Sequence, residues 1–252
     1  MDVHYLVASQ EELKNYQDFY QKHQSQLADF EVFLRTHYAL EELTQMLVFS
    51  NLAGATSIVR DITIPAYTND TRLVMTPEID IWKQIYLAQL DDYPNEDTSA
   101  IKVHYSRLSE NHLLQIIGHE LAHWSELFED DFDDYHSFIW FEEGMVEYMS
   151  RKYFLTFDEF QAEKNCNKAL VDLYQKKYGW HSLNDFGKET YEGNYASIFY
   201  EYWRSFLTID QLVSNLGSEK EVFSLYHQWL QTNHSKPLLD WLVENNFLEK
   251  EF

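Results

Sequence analysis

Glycine and proline interrupt regular backbone, and this chain of 252 residues holds 7 of the first and 4 of the second. Average usage of roughly 7% and 5% would supply about 30. With so few breakers available, the chain must be built from long elements, most of them helices. Apolar residues make up 45% and charged residues 24%, the composition of a chain with a buried core. At this length one large domain, or a tightly fused pair, buries roughly 70–75% of its unfolded surface. The 19 basic and 42 acidic side chains leave a net charge of −23, which repels a phosphate backbone and argues against nucleic acid as a partner. One cysteine, Cys166, allows no internal disulfide and no cysteine-rich zinc site. No basic, then apolar, leader opens the sequence and no run approaches eighteen apolar residues, so the expectation is a cytoplasmic protein with no membrane span.

The spacing of apolar residues predicts helix over 9–50, opened by Ser9 and Glu12 in capping-box order, with a break over 51–57. A change to alternation at Ile62, Ile64 and Ala66, followed by residues 71–75 after Thr68-Asn69-Asp70, predicts a hairpin or two adjacent strands. Helix returns over 78–91, residues 91–98 read as a loop, and alternation over 100–106 predicts a third strand. From Ser109 onward the pattern is helical: about 109–128, 138–154, 157–178, 193–207, 209–215, 218–231 and 236–245. The expected fold is therefore α+β and predominantly helical. Residues 1–130 would carry N-terminal helices and a small sheet, and residues 131–252 a helical half, the two forming one integrated unit.

The segment that carries chemistry is Ile116-Ile117-Gly118-His119-Glu120-Leu121-Ala122-His123-Trp124. Its apolar neighbours predict a buried helix. His119 and His123 lie one turn apart on a shared face, about 5–6 Å apart at Cβ, where two imidazoles can grip one Zn²⁺. Glu120 lies one residue round, beside such a metal, where it can take a proton from water. The competing reading is a helix whose two histidines are satisfied by nearby carboxylates. Gly118, mid-helix at a cost of roughly 1 kcal/mol relative to alanine, marks either a close approach near the metal or a packing contact.

Further on stands Trp140-Phe141-Glu142-Glu143-Gly144-Met145-Val146-Glu147-Tyr148. Together the two segments resemble the gluzincin metallopeptidases, the superfamily of thermolysin and the aminopeptidase N type. There a His-Glu-x-x-His helix is followed by a second helix of roughly Trp-Leu-x-Glu-Gly-x-x-x-Tyr pattern. The resemblance covers residues 109–150. It implies a zincin-like catalytic domain, Glu143 rather than Glu142 as third zinc ligand, and Glu147 as the carboxylate behind a ligand histidine. It also implies an oxyanion donor from the helical half, for which Tyr195 is preferred to Tyr191, with His181 and His227 as weaker candidates. By the same analogy the strand predicted at 101–105 would offer a sheet edge to extended substrate. The Gly-x-Met-Glu-Asn motif that captures a free N-terminus in aminopeptidases is missing, so exopeptidase activity is unsupported.

The remaining features are plainer. Residues 129–134 are an acidic connection without the glycine and terminal glutamate of an EF-hand loop. Asn69-Asp70-Thr71 is a glycosylation pattern without meaning in a cytoplasmic protein, and Cys166 reads as a partly buried thiol. The expected function is zinc-dependent hydrolysis of peptide bonds by His119, His123, Glu143, Glu120 and Tyr195, on a peptide or protein substrate. Two alternatives stand beside it: a catalytically silent zincin-fold binding or assembly protein, and a zinc hydrolase acting on a non-peptide amide. Imidazoles bind metal only when neutral, so zinc affinity is expected to fall as pH drops below about 6. Titrations at several pH values that give a constant affinity from neutrality down to well below that point would remove histidine from the ligand set.

Overall fold

A computed structural model describes residues 1–61, 63–129 and 138–249. Ile62, part of the predicted alternation, and most of the acidic connection at 129–134 lie outside the described residues. The chain divides into two compact units interleaved in sequence. One comprises Met1–Tyr86, Tyr105–Asp134 and Met149–Phe157, the other Leu87–His104, Tyr135–Tyr148 and Asp158–Phe252. The predominantly helical α+β class is as expected: nine α-helices and a single four-stranded sheet among the described residues. None of the described helices is long and apolar enough to cross a membrane.

The first unit is organised by the sheet. Strands β1 (Asp2–Leu6), β2 (Met46–Ser50) and β4 (Arg72–Met75) run parallel, and β3 (Ala66–Thr68) pairs antiparallel with β4 at the edge, in the order β1-β2-β4-β3. The expected pair of strands is β3–β4, with the first strand shifted: it is Ala66–Thr68, and Ile64 lies before it. Asn69 turns the pair: its side-chain oxygen accepts from the backbone N–H groups of Thr71 and Arg72, so a glycosylation-like triplet serves here as a turn.

Helix α1 (Gln10–His37) starts where predicted, Ser9 accepting the Glu12 N–H, but it ends well short of residue 50. Its buried stripe is Tyr16, Phe19, His23, Leu27, Phe30 and Leu34, at the three- and four-residue spacing of one helix face. Arg35 closes its last turn by donating to the carbonyls of Leu40 and Glu41. Residues 46–50 are strand β2, Met-Leu-Val-Phe-Ser, instead of helix. A parallel strand packed on both faces is a continuous apolar run, and periodicity cannot separate it from a buried turn of helix. Strand β1 likewise lies outside the predicted elements. The expected break at 51–57 is helical instead: Asn51 Oδ1 accepts the Gly54 N–H at 2.9 Å, opening a wide π-type stretch, Gly54–Val59.

The strand expected at 100–106 is a correction of larger consequence. It is helix α3 (Ser99–Ser106), which comes after α2 (Ile79–Ala88) and a 3₁₀ turn at Gln89–Asp92. Ile101, Tyr105 and Leu108 are buried while Val103 is 48% exposed. A strand would bury Val103 together with Ile101 and Tyr105; a helix buries positions four and three apart. Asp97 supplies the start signal, its carboxylate accepting the Ser99 N–H. Residues 101–105 therefore offer no sheet edge.

Helix α4 (Glu110–Ala122) packs on α1, β3 and β4 and buries every side chain from His112 to Ala122. Ser109 caps it, and His112 closes a capping box by accepting the Ser109 N–H on Nδ1 at 3.1 Å. Glu110 reaches back to the buried His23 of α1 at 2.7 Å. Below the helix lie Phe30 and, from the end of α5 (Ile139–Phe154), Phe154, rings 4.8 Å apart. These explain Gly118. A Cβ there would sit 2.5 Å from Phe154 Cε2 and 3.2 Å from Phe30 Cε1, so the packing reading of this glycine is the observed one.

The second unit is built by α6 (Phe157–Tyr178), α7 (Tyr195–Leu216), α8 (Glu219–Leu230) and α9 (Leu238–Glu244), with the first half of α5. Helix α7 is continuous where two segments were expected, because Thr208 is buried on its packed face and nothing breaks the backbone before Gly217, at φ +94°. Aromatic stacks fill the interior, among them Phe141 on Tyr226 at 4.5 Å and Phe199 on Trp203 at 5.1 Å.

Gly118→Ala would gain roughly 1 kcal/mol of helix propensity but overpack two rings at a cost of about 1–3 kcal/mol. The expected outcome is a net loss of stability seen as a melting temperature lower by a few degrees. An unchanged or raised melting temperature would refute the packing account.

Candidate metal centre

The two histidines are delivered by the end of α4. His119 lies in its last turn, and His123 is the residue just past it, still in right-handed helical backbone at φ −57° and ψ −21°. The i, i+4 relation therefore survives the helix end, which comes earlier than the expected residue 128. Two anchors hold that end to the sheet and to the segment after α1. Trp124 Nε1 donates to Thr68 Oγ1 of β3 at 2.9 Å, and Ser125 Oγ donates to the Tyr38 carbonyl at 2.5 Å.

The histidine side chains converge. Their Nε2 atoms are 3.2 Å apart, and the rings meet nearly edge-on, centroids 4.9 Å apart. Two nitrogens bound tetrahedrally to zinc at about 2.0–2.1 Å would stand about 3.3 Å from one another, so the pair is spaced as one metal ion requires. In the absence of a metal, a hydrogen bond between a protonated and an unprotonated Nε2 has a similar length. His119 and Glu120 are both buried, each 7% exposed.

Helix α5 delivers the carboxylates Glu142, Glu143 and Glu147, all buried. Glu143 is held by two tyrosines. Tyr191, in the 3₁₀ turn Lys188–Glu192, and Tyr202, in α7, each donate to Glu143 Oε1 at 3.2 Å, and their hydroxyls are 2.9 Å apart. The glycine after Glu143 makes this reach possible. A Cβ on Gly144 would lie 2.6 Å from the Ser205 carbonyl oxygen and 2.7 Å from Ile209 Cγ1. Without a side chain there, the backbone of α7 approaches α5, and Tyr202, one turn before Ser205, meets the carboxylate.

One ligand atom from each of His119, His123 and Glu143 lies within 4.8 Å of the others. It is the only such group of three or more among the described residues. The donor set of two imidazoles and one carboxylate suits Zn²⁺.

Of the other expected residues, Tyr195 opens α7, its ring stacked on Phe199 at 6.0 Å, and burial raises its hydroxyl above the ordinary tyrosine value. Asn194, immediately before it, caps the helix, so Tyr195 is the first helical residue and its ring runs along α7. His181 pairs with Glu201, and the ring of His227 packs on Tyr226. Cys166 is buried in α6 and forms no disulfide. Sequence reasoning missed Tyr202. The signal for it lies in α7, where Tyr202, Ser205 and Ile209 form a three-and-four stripe with a small residue at its centre, matching a glycine on α5.

Compared with models of known families, with curated proteins and with solved structures, the chain matches none.

An alanine at Gly144 would meet backbone, which cannot step aside as a ring can. Gly144→Ala is expected to destabilise the protein more than Gly118→Ala does, by about 1–3 kcal/mol before the helix-propensity gain. Paired urea titrations of the two variants provide the comparison. Equal or smaller loss at Gly144 would mean that α7 does not depend on the missing side chain.

Proposed function

We propose that this chain is a zinc-dependent metallopeptidase of the gluzincin type, with His119, His123 and Glu143 as its ligands. The observation that carries the reading is the grouping of those three ligand atoms within 4.8 Å. The fit is close for the histidines, at 3.2 Å between nitrogens. When bound, zinc would lower the pKa of a water to about 7 and polarise a carbonyl as a Lewis acid.

The chain's own groups supply the rest. Glu120 adjoins the first ligand histidine, and in this reading it takes the proton of the attacking water and passes it to the departing amine. Its burial favours a base that is not solvated away from its task. Glu147 stands one turn beyond Glu143 on α5, in the role of a carboxylate that orients a ligand imidazole. Tyr191 takes the oxyanion-donor role in place of Tyr195, because its hydroxyl lies on the ligand carboxylate whereas the Tyr195 ring stacks along α7.

The sheet edge for an extended substrate is β3, which packs beside α4. The Thr76 N–H bonds the Pro65 carbonyl and the Asn69 N–H bonds the Arg72 carbonyl. By antiparallel alternation Tyr67 then pairs with β4, while the N–H and C=O groups of Ala66 and Thr68 face outward. A peptide could add there as a further strand.

Elemental analysis after zinc loading and dialysis tests the metal. One zinc per wild-type chain, with marked loss in Glu143→Ala, is the expected result, and a wild type that retains none would overturn the reading. Glu120→Gln should keep the metal and lose roughly 10²–10⁴-fold in hydrolysis of a peptide library, since an amide cannot accept the proton. Near-wild-type turnover in that variant would sink the mechanism.

A further inference from the structure

Glu143 Oε1 is served by two hydroxyls, as many donors as its two lone pairs can accept. Tyr191 and Tyr202 each lie 3.2 Å from that oxygen and 2.9 Å from one another, a triangle of three contacts among three oxygens. An ionised carboxylate brings no proton to the triangle, and two phenols bring two. At most two of the three contacts are therefore hydrogen bonds at one time. Oε1 is paired in every such arrangement: both phenols donate to it, or one donates to it and the other donates to its neighbour. Either proton can turn elsewhere while the remaining one still serves Oε1.

The two phenols come from separate elements and share one support. Phe186 is fully buried, with its ring 6.1 Å from that of Tyr191 and 5.5 Å from that of Tyr202. Tyr202 is further tied to α5 by the close approach at Gly144, and Tyr191 belongs to a short 3₁₀ turn. One member of the pair is thus on a long helix and the other on a short turn.

We propose that Tyr191 and Tyr202 are redundant positioning residues for Glu143. Tyr202 keeps a phenol on Oε1 while the Tyr191 proton is diverted to a reacting oxygen. This inference rests on Glu143 being a metal ligand, the reading proposed for the site. A carboxylate that ligates a metal is oriented by such outer hydrogen bonds, and mutating the groups that make them weakens metal binding by about 10–100-fold.

Redundancy predicts a pattern that simple structural support does not. Zn²⁺ affinity, measured by chelator competition on the wild type, Tyr191→Phe, Tyr202→Phe and the double variant, should fall little in either single and by about 10–100-fold in the double. The double loss should exceed the product of the single losses. With Co²⁺ in place of Zn²⁺, the visible absorption bands should shift in the double variant and stay near wild type in the singles. The metal-free singles should melt near wild type and the double variant lower, since its buried carboxylate has lost both phenols; the Co²⁺ bands, which report ligand geometry in the folded protein, separate positioning from folding. A single variant that already loses tenfold overturns the redundancy. A double variant with wild-type affinity, or one whose loss equals the product of the singles, overturns it as well. Failure of the wild type to take up zinc would instead be a failure of the metal-site reading, and the pair would fall with it.

Discussion

Taking an ionisable side chain out of water costs several kcal/mol unless something pairs with it. Helices α4 and α5 bury seven such groups: His112, His119, Glu120, Glu142, Glu143, Glu147 and Arg151. The architecture around these helices is largely the answer to that constraint. His112 is absorbed into a capping box at the start of α4, and His119 is turned toward His123. Glu143 draws two phenols onto one oxygen. A chain that needed only a core would place leucine at these positions, since burying apolar area stabilises by about 25 cal/mol per Å² without any partner.

Meeting the constraint requires helices to approach more closely than their side chains ordinarily allow. Two of the seven glycines permit this in the middle of helices. Gly118 admits the rings of Phe30 and Phe154 against α4, within the unit that holds the sheet. Gly144 admits the backbone of α7 against α5, within the helical unit. In each case the glycine adjoins a candidate ligand, His119 or Glu143. The local loss of helix propensity, roughly 1 kcal/mol at each position, is offset by packing that seats the polar residue next to it.

Much of this is legible in the order of residues. Scarce breakers mean long helices, and α5, α6, α8 and α9 lie within two residues of where apolar spacing puts them. Ser9 and Ser109 mark helix starts because a cap is a local hydrogen bond. The misread segments share a different cause. Residues 46–50 are apolar without interruption, and residues 101–105 alternate, so each fits two periodicities over a span too short to separate them. In the first case strand pairing with β1 and β4 decided the outcome, and in the second the burial of Ile101, Tyr105 and Leu108 around an exposed Val103.

Residue order alone settles whatever depends on neighbours within a turn or so: the helical class, the shared face of His119 and His123, and the placing of Glu143 beside Gly144. The cause is 3.6-residue periodicity and short-range capping, which operate wherever the segment sits. Packing between distant segments was needed to make β3 the sheet edge beside α4, and to bring Tyr191 and Tyr202 onto Glu143 while Tyr195 stacks on Phe199. Tyr191, Tyr195 and Tyr202 are chemically identical phenols, eleven residues apart at most. Which of them reaches a carboxylate some fifty residues earlier in the chain depends on the direction and spacing of two packed helices. That spacing is set by a side chain missing from Gly144.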